Sequence, residues 1–329
     1  MKRIFLGLLL GFTCCLSSIR AAAQETTPEP TAEPRPDISA LFTEPGTFNI
    51  RQPIAGRDRT YAISLPAAYF APDAASTFFP LLLVLHGATD TGEHWARVTN
   101  FTDLAEEAGF IVVYPDGLNG VWNDGRTGDP RIDPAIDDLS FLNGVIDTLI
   151  EGFRVDTTRI YVTGYSMGGF MAIRLACRLP DRIAAVAAVA AALPQYLVGE
   201  CAGTTPMPFM LIHGTNDTTI PWIGLTTRDG SGFLSASETV NFFVQRDECA
   251  PSQSIQEAPD ADPSDGTRVL ISTYENCSGG AHVALVGVYL GGHTWPGHPF
   301  TSLGDPGVTS MDVDATRLVW AFLSAHHRE

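Results

Sequence analysis

Gly164-Tyr165-Ser166-Met167-Gly168-Gly169 sets a serine between two glycines, directly after the apolar run Arg159–Thr163 and directly before a helix-patterned stretch, Met167–Arg178. A strand-to-helix turn that tight accepts only small residues two before and two after its apex, and it lifts the apex side chain clear of the backbone. Serine is a weak nucleophile at neutral pH. The arrangement has chemical meaning only if a base, itself oriented by a carboxylate, reaches the hydroxyl. The helix behind the serine offers unpaired N–H groups and a partial positive charge where an oxyanion would form, so the Met167 N–H is one expected donor. The chemistry such a turn could support is acyl transfer through Ser166.

The partners of such a serine follow it in the order acid, then histidine, at the carboxyl ends of later strands. The apolar run Pro208–Ile212 leads into His213-Gly214-Thr215-Asn216-Asp217, which puts Asp217 in the required loop; Asp229 and Asp265 lie further from a strand end. Val283–Leu290 leads into Gly291-Gly292-His293, which makes His293 the candidate base. Of the other histidines, His326 and His327 are C-terminal, His94 opens a helix, His282 opens a strand, and His86 and His213 sit in His-Gly turns suited to structural hydrogen bonding. His298 is the rival. The second oxyanion donor is expected in His86-Gly87-Ala88-Thr89, from the N–H of Ala88 or Thr89.

Holding these groups requires a scaffold of alternating elements. Apolar runs of strand length lie at Tyr61–Leu65, Leu81–Leu85, Phe110–Tyr114, Arg159–Thr163, Ala184–Ala190 and Pro208–Ile212, with helical patterns at Phe101–Ala108, Leu139–Phe153, Met167–Arg178 and Ala236–Arg246. Several of the strands are apolar nearly throughout, as strands covered on both faces must be. A last pair, Thr267–Thr273 and Val283–Leu290, precedes a closing helix from about Asp312 to Ala325. The pattern predicts an α/β fold with a doubly wound, mostly parallel sheet. Only about 17 residues separate Ala190 from Pro208, too few for a helical lid, so no lid domain is expected and the cleft should be open.

The 329 residues are 45% hydrophobic and 17% charged, enough for a sizeable core and incompatible with a disordered chain. With 20 Lys+Arg against 37 Asp+Glu the net charge is −17, which repels phosphates; nucleic acid and anionic membranes are not expected partners. Lys2 and Arg3, the apolar stretch Ile4–Leu16 and Ala21-Ala22-Ala23 read as a signal peptide over residues 1–23. The mature protein is then secreted, with the periplasm as the alternative. Residues 24–36 form a proline-rich linker, and residues 37–329 a single catalytic domain, expected to be monomeric and to have no membrane span.

Cys14 and Cys15 leave with the signal. The remaining Cys177, Cys201, Cys249 and Cys277 are an even number in an exported chain and show no metal-binding spacing, which favours disulfides. Three connectivities are open; the sequential pairs, which close loops of similar size, are preferred. Neither a metal nor a cofactor is expected. The acidic run Asp260–Gly266 misses the calcium-loop spacing, and Asp137-Asp138 suit the positive end of a helix.

Taken together, LLVLHG (82–87), VVYPDG (112–117), VWNDG (121–125), DDLSFLNGVID (137–147), GYSMGG (164–169), HGTNDTTIPW (213–222) and GGHTWPG (291–297) resemble the exported polyhydroxybutyrate depolymerase / feruloyl esterase family of α/β-hydrolases, over about residues 48–325. The resemblance implies the α/β-hydrolase fold, Ser166 as nucleophile, His293 as base and Asp217 as its orienter. It also implies a Cys249–Cys277 bridge and a cleft flanked by Trp122 and Trp295, although ordinary core packing would account for both tryptophans equally well. Relatives often carry Cys or another polar residue where this chain has Ala88-Thr89.

The partner implied is a small or polymeric ester. Feruloyl- or acetyl-type esters of plant polysaccharides are preferred and polyhydroxybutyrate is the alternative. A serine peptidase on the same fold and a non-catalytic binding module are the rival readings.

Overall fold

The computed structural model describes residues 42–227, 231–251, 253–299 and 306–329. The expected signal peptide and linker lie outside the described residues. Ten strands form one sheet: β1 (Gly46–Ile54), β2 (Arg57–Leu65), β3 (Phe79–Leu85), β4 (Ile111–Pro115), β5 (Val155–Tyr165), β6 (Ala185–Val189), β7 (Phe209–Gly214), β8 (Gln253–Glu257), β9 (Arg268–Tyr274) and β10 (Val283–Tyr289). Their order is β1-β2-β4-β3-β5-β6-β7-β10-β9-β8. The stretch from β4 to β10 is parallel, and β2 with β1 and β9 with β8 complete the two ends antiparallel. Helices α1 (Gly92–Thr99), α2 (Phe101–Ala108), α3 (Asp138–Gly152), α4 (Met167–Arg178), α5 (Leu197–Cys201), α6 (Ala236–Arg246) and α7 (Ala315–Ser324) cover the sheet. The fold is that of the α/β-hydrolases.

β3 shows why the middle strands are apolar without alternation. Leu81, Leu83 and Leu85 pack into one layer with Phe141 and Val145 of α3 and Phe170 of α4. Leu82 and Val84 point the other way, into a layer with Trp95 of α1, Phe101 of α2 and Val319 of α7. Each of these leucines is fully buried and contributes about 2 kcal/mol through the hydrophobic effect.

The chain leaves β3 for β4 on one side and later takes up β5 on the other. This reversal opens a crevice at the carboxyl ends of β3 and β5, where open α/β sheets bind ligands.

Asp137 and Asp138 divide their work. Asp137 caps α3 by accepting the Ser140 N–H at 2.9 Å. Asp138 does more than suit the helix dipole: it is buried, pairs with Arg59 of β2 at 2.6 Å and accepts the Asn123 N–H at 2.7 Å. Removing either partner of so buried a pair strands a charge, at a cost of about 3–5 kcal/mol.

Both sequential disulfides are present, Cys177–Cys201 and Cys249–Cys277. The first ties α5 to α4. Since α5 is the one helix between β6 and β7, the segment that could have carried a lid is short and stapled down.

Candidate active site

Ser166 stands at the apex between β5 and α4 with φ 52° and ψ −118°, a conformation non-glycine residues avoid. Two glycines make the turn feasible. A Cβ on Gly164 would lie 2.2 Å from the Gly168 carbonyl oxygen, and one on Gly168 would lie 2.3 Å from the Leu85 carbonyl oxygen. The elbow is thereby pressed against the end of β3.

The structure brings Ser166, His293 and Asp217 together from three separate loops. Ser166 Oγ is 3.0 Å from His293 Nε2, and His293 Nδ1 is 2.7 Å from Asp217 Oδ2. Asp217 is buried, and its other oxygen accepts the N–H groups of Thr219 (2.9 Å) and Ile220 (2.8 Å). Those two bonds fix the carboxylate plane and leave Oδ2 for the imidazole.

His293 is held by its own backbone: its N–H donates to Pro306 O, and its carbonyl accepts the Tyr165 hydroxyl at 2.8 Å. The Tyr165 ring lies against the imidazole at 4.9 Å. Burial raises the Tyr165 pKa, so the hydroxyl keeps the proton it donates. His298 pairs with Asp314 at 3.3 Å instead.

On the facing loop, His86 is fully buried, and burial pulls its pKa down towards the neutral form. Its Nε2 accepts the Gly117 N–H at 2.9 Å, which leaves the ring proton on Nδ1 to donate to Gly87 O at 2.6 Å. A trans peptide points its C=O and N–H in opposite directions, so this bond turns the Ala88 N–H away from His86. The Ala88 N–H has no partner among the described residues. Neither has the Met167 N–H, which opens α4 and has no intrahelical acceptor.

Thr89 is a different matter. Its N–H donates to Gly120 O at 2.7 Å, which contradicts the expectation that it could serve as an oxyanion donor and leaves Ala88 as the remaining candidate of the two.

The tryptophan expectation is also overturned. Trp122 and Trp295 are wholly buried and neither lines the cleft. Trp122 is a bracket: its Nε1–H donates to His86 O at 2.9 Å, and its backbone N–H points at Met167 Sδ at 3.4 Å. It therefore ties the two loops that carry the Ala88 and Met167 N–H groups to each other. Trp295 packs in the core, with its Nε1–H on Thr316 Oγ1 at 3.0 Å.

The cleft above Ser166 has a volume of about 400 Å³. Its walls include groups that sequence reasoning did not single out: Trp95, Phe170, the Asp90–His94 pair and two arginines, Arg126 and Arg131. Trp95 stacks on Tyr165 at 4.7 Å, and its Nε1–H donates to Asp90 Oδ2 at 2.8 Å. The one signal in the sequence was the placement of two of the chain's few cations in a short loop before α3. Among the described residues, no group of three or more His, Cys, Asp or Glu side chains is placed to hold a metal ion, and no helix is long and apolar enough to cross a membrane. The two disulfides fit an oxidising compartment.

A serine at this distance from a carboxylate-backed imidazole, with two free N–H groups beside it, has the parts needed for acyl transfer. Comparison with known proteins agrees with that chemistry. Residues 63–203 match the family model described as esterase PHB depolymerase. The chain is 33% identical over 315 residues to the putative esterase NocK of Nocardia uniformis subsp. tsuyamanensis, covering 88% of this chain and 90% of that protein. It is 27% identical to feruloyl esterase D of Neurospora crassa, over 82% of this chain and 83% of the relative. Among solved structures, acetyl xylan esterase from Aspergillus awamori aligns with a TM-score of 0.53 at 15% identity, covering 76% of this chain and 94% of that one, which is a likeness of fold. The chain belongs to the polyhydroxybutyrate depolymerase / feruloyl esterase family of α/β-hydrolases and is a carboxylic ester hydrolase.

Proposed function

We propose that the chain is an exported serine esterase that cleaves feruloyl- or acetyl-type esters of plant polysaccharides through an acyl-enzyme on Ser166. The observation that carries the mechanism is the 3.0 Å and 2.7 Å pair of contacts linking Ser166, His293 and Asp217. His293 Nε2 takes the hydroxyl proton as Oγ attacks the ester carbonyl, and buried Asp217 stabilises the imidazolium that results. The N–H groups of Met167 and Ala88 receive the oxyanion. His293 then returns the proton to the leaving alcohol, and water repeats the sequence to release the acid.

The substrate class is supported by the names of the similar proteins, feruloyl esterase and acetyl xylan esterase, and by aromatic walls in a lidless cleft. The family description favours a second reading, depolymerisation of polyhydroxybutyrate. Export is supported by the charged and apolar N-terminal pattern together with two disulfides.

The test is product release from methyl ferulate, acetylated xylan and a polyhydroxybutyrate suspension, each with the wild type and with Ser166→Ala. Turnover of either of the first two, lost in the variant, is the expected result. Clearing of the polyester alone moves the assignment to the second reading. Ser166→Ala activity within tenfold of wild type refutes the mechanism.

A further inference from the structure

We propose that Arg126 and Arg131 form a carboxylate-recognising subsite beside Ser166, so that the preferred esters carry one carboxylate away from the scissile bond. The inference deepens the esterase reading and rests on Ser166 being the nucleophile.

Two cations on one wall of a cleft are an exception in a chain of net charge −17. Like charges placed there repel each other, and each is held by its own acid. Arg126 donates from Nε to Asp124 Oδ2 at 2.9 Å, and its Nη2 is 2.7 Å from the same oxygen. Arg131 donates from Nε to Asp129 Oδ1 at 2.9 Å and from Nη2 to Asp129 Oδ2 at 2.6 Å. Asp124 is buried, and neither Asp124 nor Asp129 lines the cleft above Ser166.

In both arginines the Nε–Nη2 edge faces its aspartate. Neither Nη1 has a hydrogen-bond partner among the described residues. The Arg126 guanidinium also lies 4.0 Å over the Phe170 ring, which holds its plane. A guanidinium backed by a carboxylate on one edge loses little further freedom when its other edge binds an anion. Charge-assisted bonds from the two Nη1 groups suit one planar carboxylate. A polyanion is not favoured, since the rest of the surface repels it.

Such a carboxylate could be the free terminus of a hydroxy-acid oligomer or a uronic acid on an esterified polysaccharide. Two matched pairs of substrates separate these sources. The first is a 3-hydroxybutyrate dimer as free acid and as its terminal amide. The second is an acetylated xylo-oligosaccharide carrying a uronic acid and the same compound with that acid reduced to the alcohol.

The wild type is expected to prefer the carboxylate member of one pair by roughly tenfold in kcat/KM, expressed through KM, given that Arg131 is half-exposed and its contacts are weakened by solvent. Arg131→Gln is expected to bring that ratio close to one. Arg126→Gln should do the same, but it uncovers buried Asp124, so its circular dichroism must match wild type for its result to count, and Arg131→Gln decides the matter alone otherwise. Preference in the first pair assigns the oligomer terminus, and preference in the second the uronate. A wild-type ratio near one in both pairs, with the neutral esters still turned over, overturns the subsite and leaves the esterase reading standing. A ratio that survives Arg131→Gln also overturns it. Failure to turn over any ester refutes the Ser166 mechanism and the subsite with it.

Discussion

Asp217→Asn is the sharpest test of the site, because the surroundings of the side chain dictate which way the new amide must face. Oδ1 accepts two backbone N–H groups, from Thr219 and Ile220. Turning the amide so that its NH2 met those donors would leave the buried Ile220 N–H unpaired, at about 1–3 kcal/mol, and the part-buried Thr219 N–H with it. The amide oxygen therefore keeps that place, and the amide nitrogen takes the position 2.7 Å from His293 Nδ1. Two N–H groups cannot donate to each other, so His293 moves its proton to Nε2. That nitrogen then donates towards Ser166 instead of accepting its proton. The fold is retained and the base is lost.

A wrong-tautomer imidazole of this kind lowers kcat by roughly 10⁴, equivalent to about 5.5 kcal/mol in the barrier. The measurements are kcat on p-nitrophenyl acetate and the thermal midpoint. The midpoint should fall by only a few degrees, since both backbone contacts survive. Asp217→Ala, which loses them as well, should melt distinctly lower at a similar loss of rate. A kcat for Asp217→Asn within tenfold of wild type would refute the reasoning.

Three further outcomes are expected. Trp122→Phe, which deletes the bond to His86 O, should lower kcat about tenfold with KM little changed, whereas Trp295→Phe should lower the melting temperature and leave kcat near wild type; steady-state kinetics with melting curves separate the two. Replacing both Cys177 and Cys201 by Ala reopens a 24-residue loop, and denaturant titration should show a loss of about 3.5 kcal/mol with activity preserved at low temperature. Burial pushes the pKa of His326 down to about 4 from 6.5, so below pH 6.5 the unfolded chain binds the proton more readily than the folded one. Stability should therefore be complete above pH 6.5 and fall as the pH drops towards 4, by about 2 kcal/mol once partial solvent screening is allowed for, and His326→Gln should flatten that slope.

The parts of the molecule legible in the sequence were those under the tightest constraint. β3 and β7 are buried on both faces and carry continuous apolar runs, β5 is buried from Ile160 to its end at the elbow, and the elbow glycines are required by backbone contacts closer than 2.5 Å. Two strands escaped notice. Every residue of β8 is exposed, so no alternation marks it, and β1 buries only its last residue fully. Helix α1 was marked in the sequence only by its opening near His94, because its one deeply buried large residue, Trp95, is too little for a periodic signal.

The site followed the same rule. Ser166, Asp217 and His293 are fixed by strand ends and could be read from position in the chain. Trp122 could not, because a tryptophan after a turn looks the same whether it faces solvent or core. Choosing between Ala88 and Thr89 needed the fate of a single N–H, which depends on Gly120, a residue far along the chain. The arginine wall lies in a loop without periodicity, where sequence alone does not say which side chains turn inward.

The bracket at Trp122 has a bearing on which part of the cleft can be altered without moving the reacting groups. The residue after it, Asn123, is itself pinned, with its N–H on Asp138 and its carbonyl accepting from Arg174 at 2.7 Å. On the oxyanion side of that joint, Trp122 holds the loop after β3 at His86 and the elbow after β5 at Met167. Past buried Asp124 and the Arg126 guanidinium on Phe170, the stretch from Thr127 to Arg131 lies at the surface, with Arg131 balanced by Asp129. Such a loop can be exchanged, lengthened or recharged without disturbing the positions of the reacting groups. The reaction centre can then stay fixed while the panel set in front of it is changed.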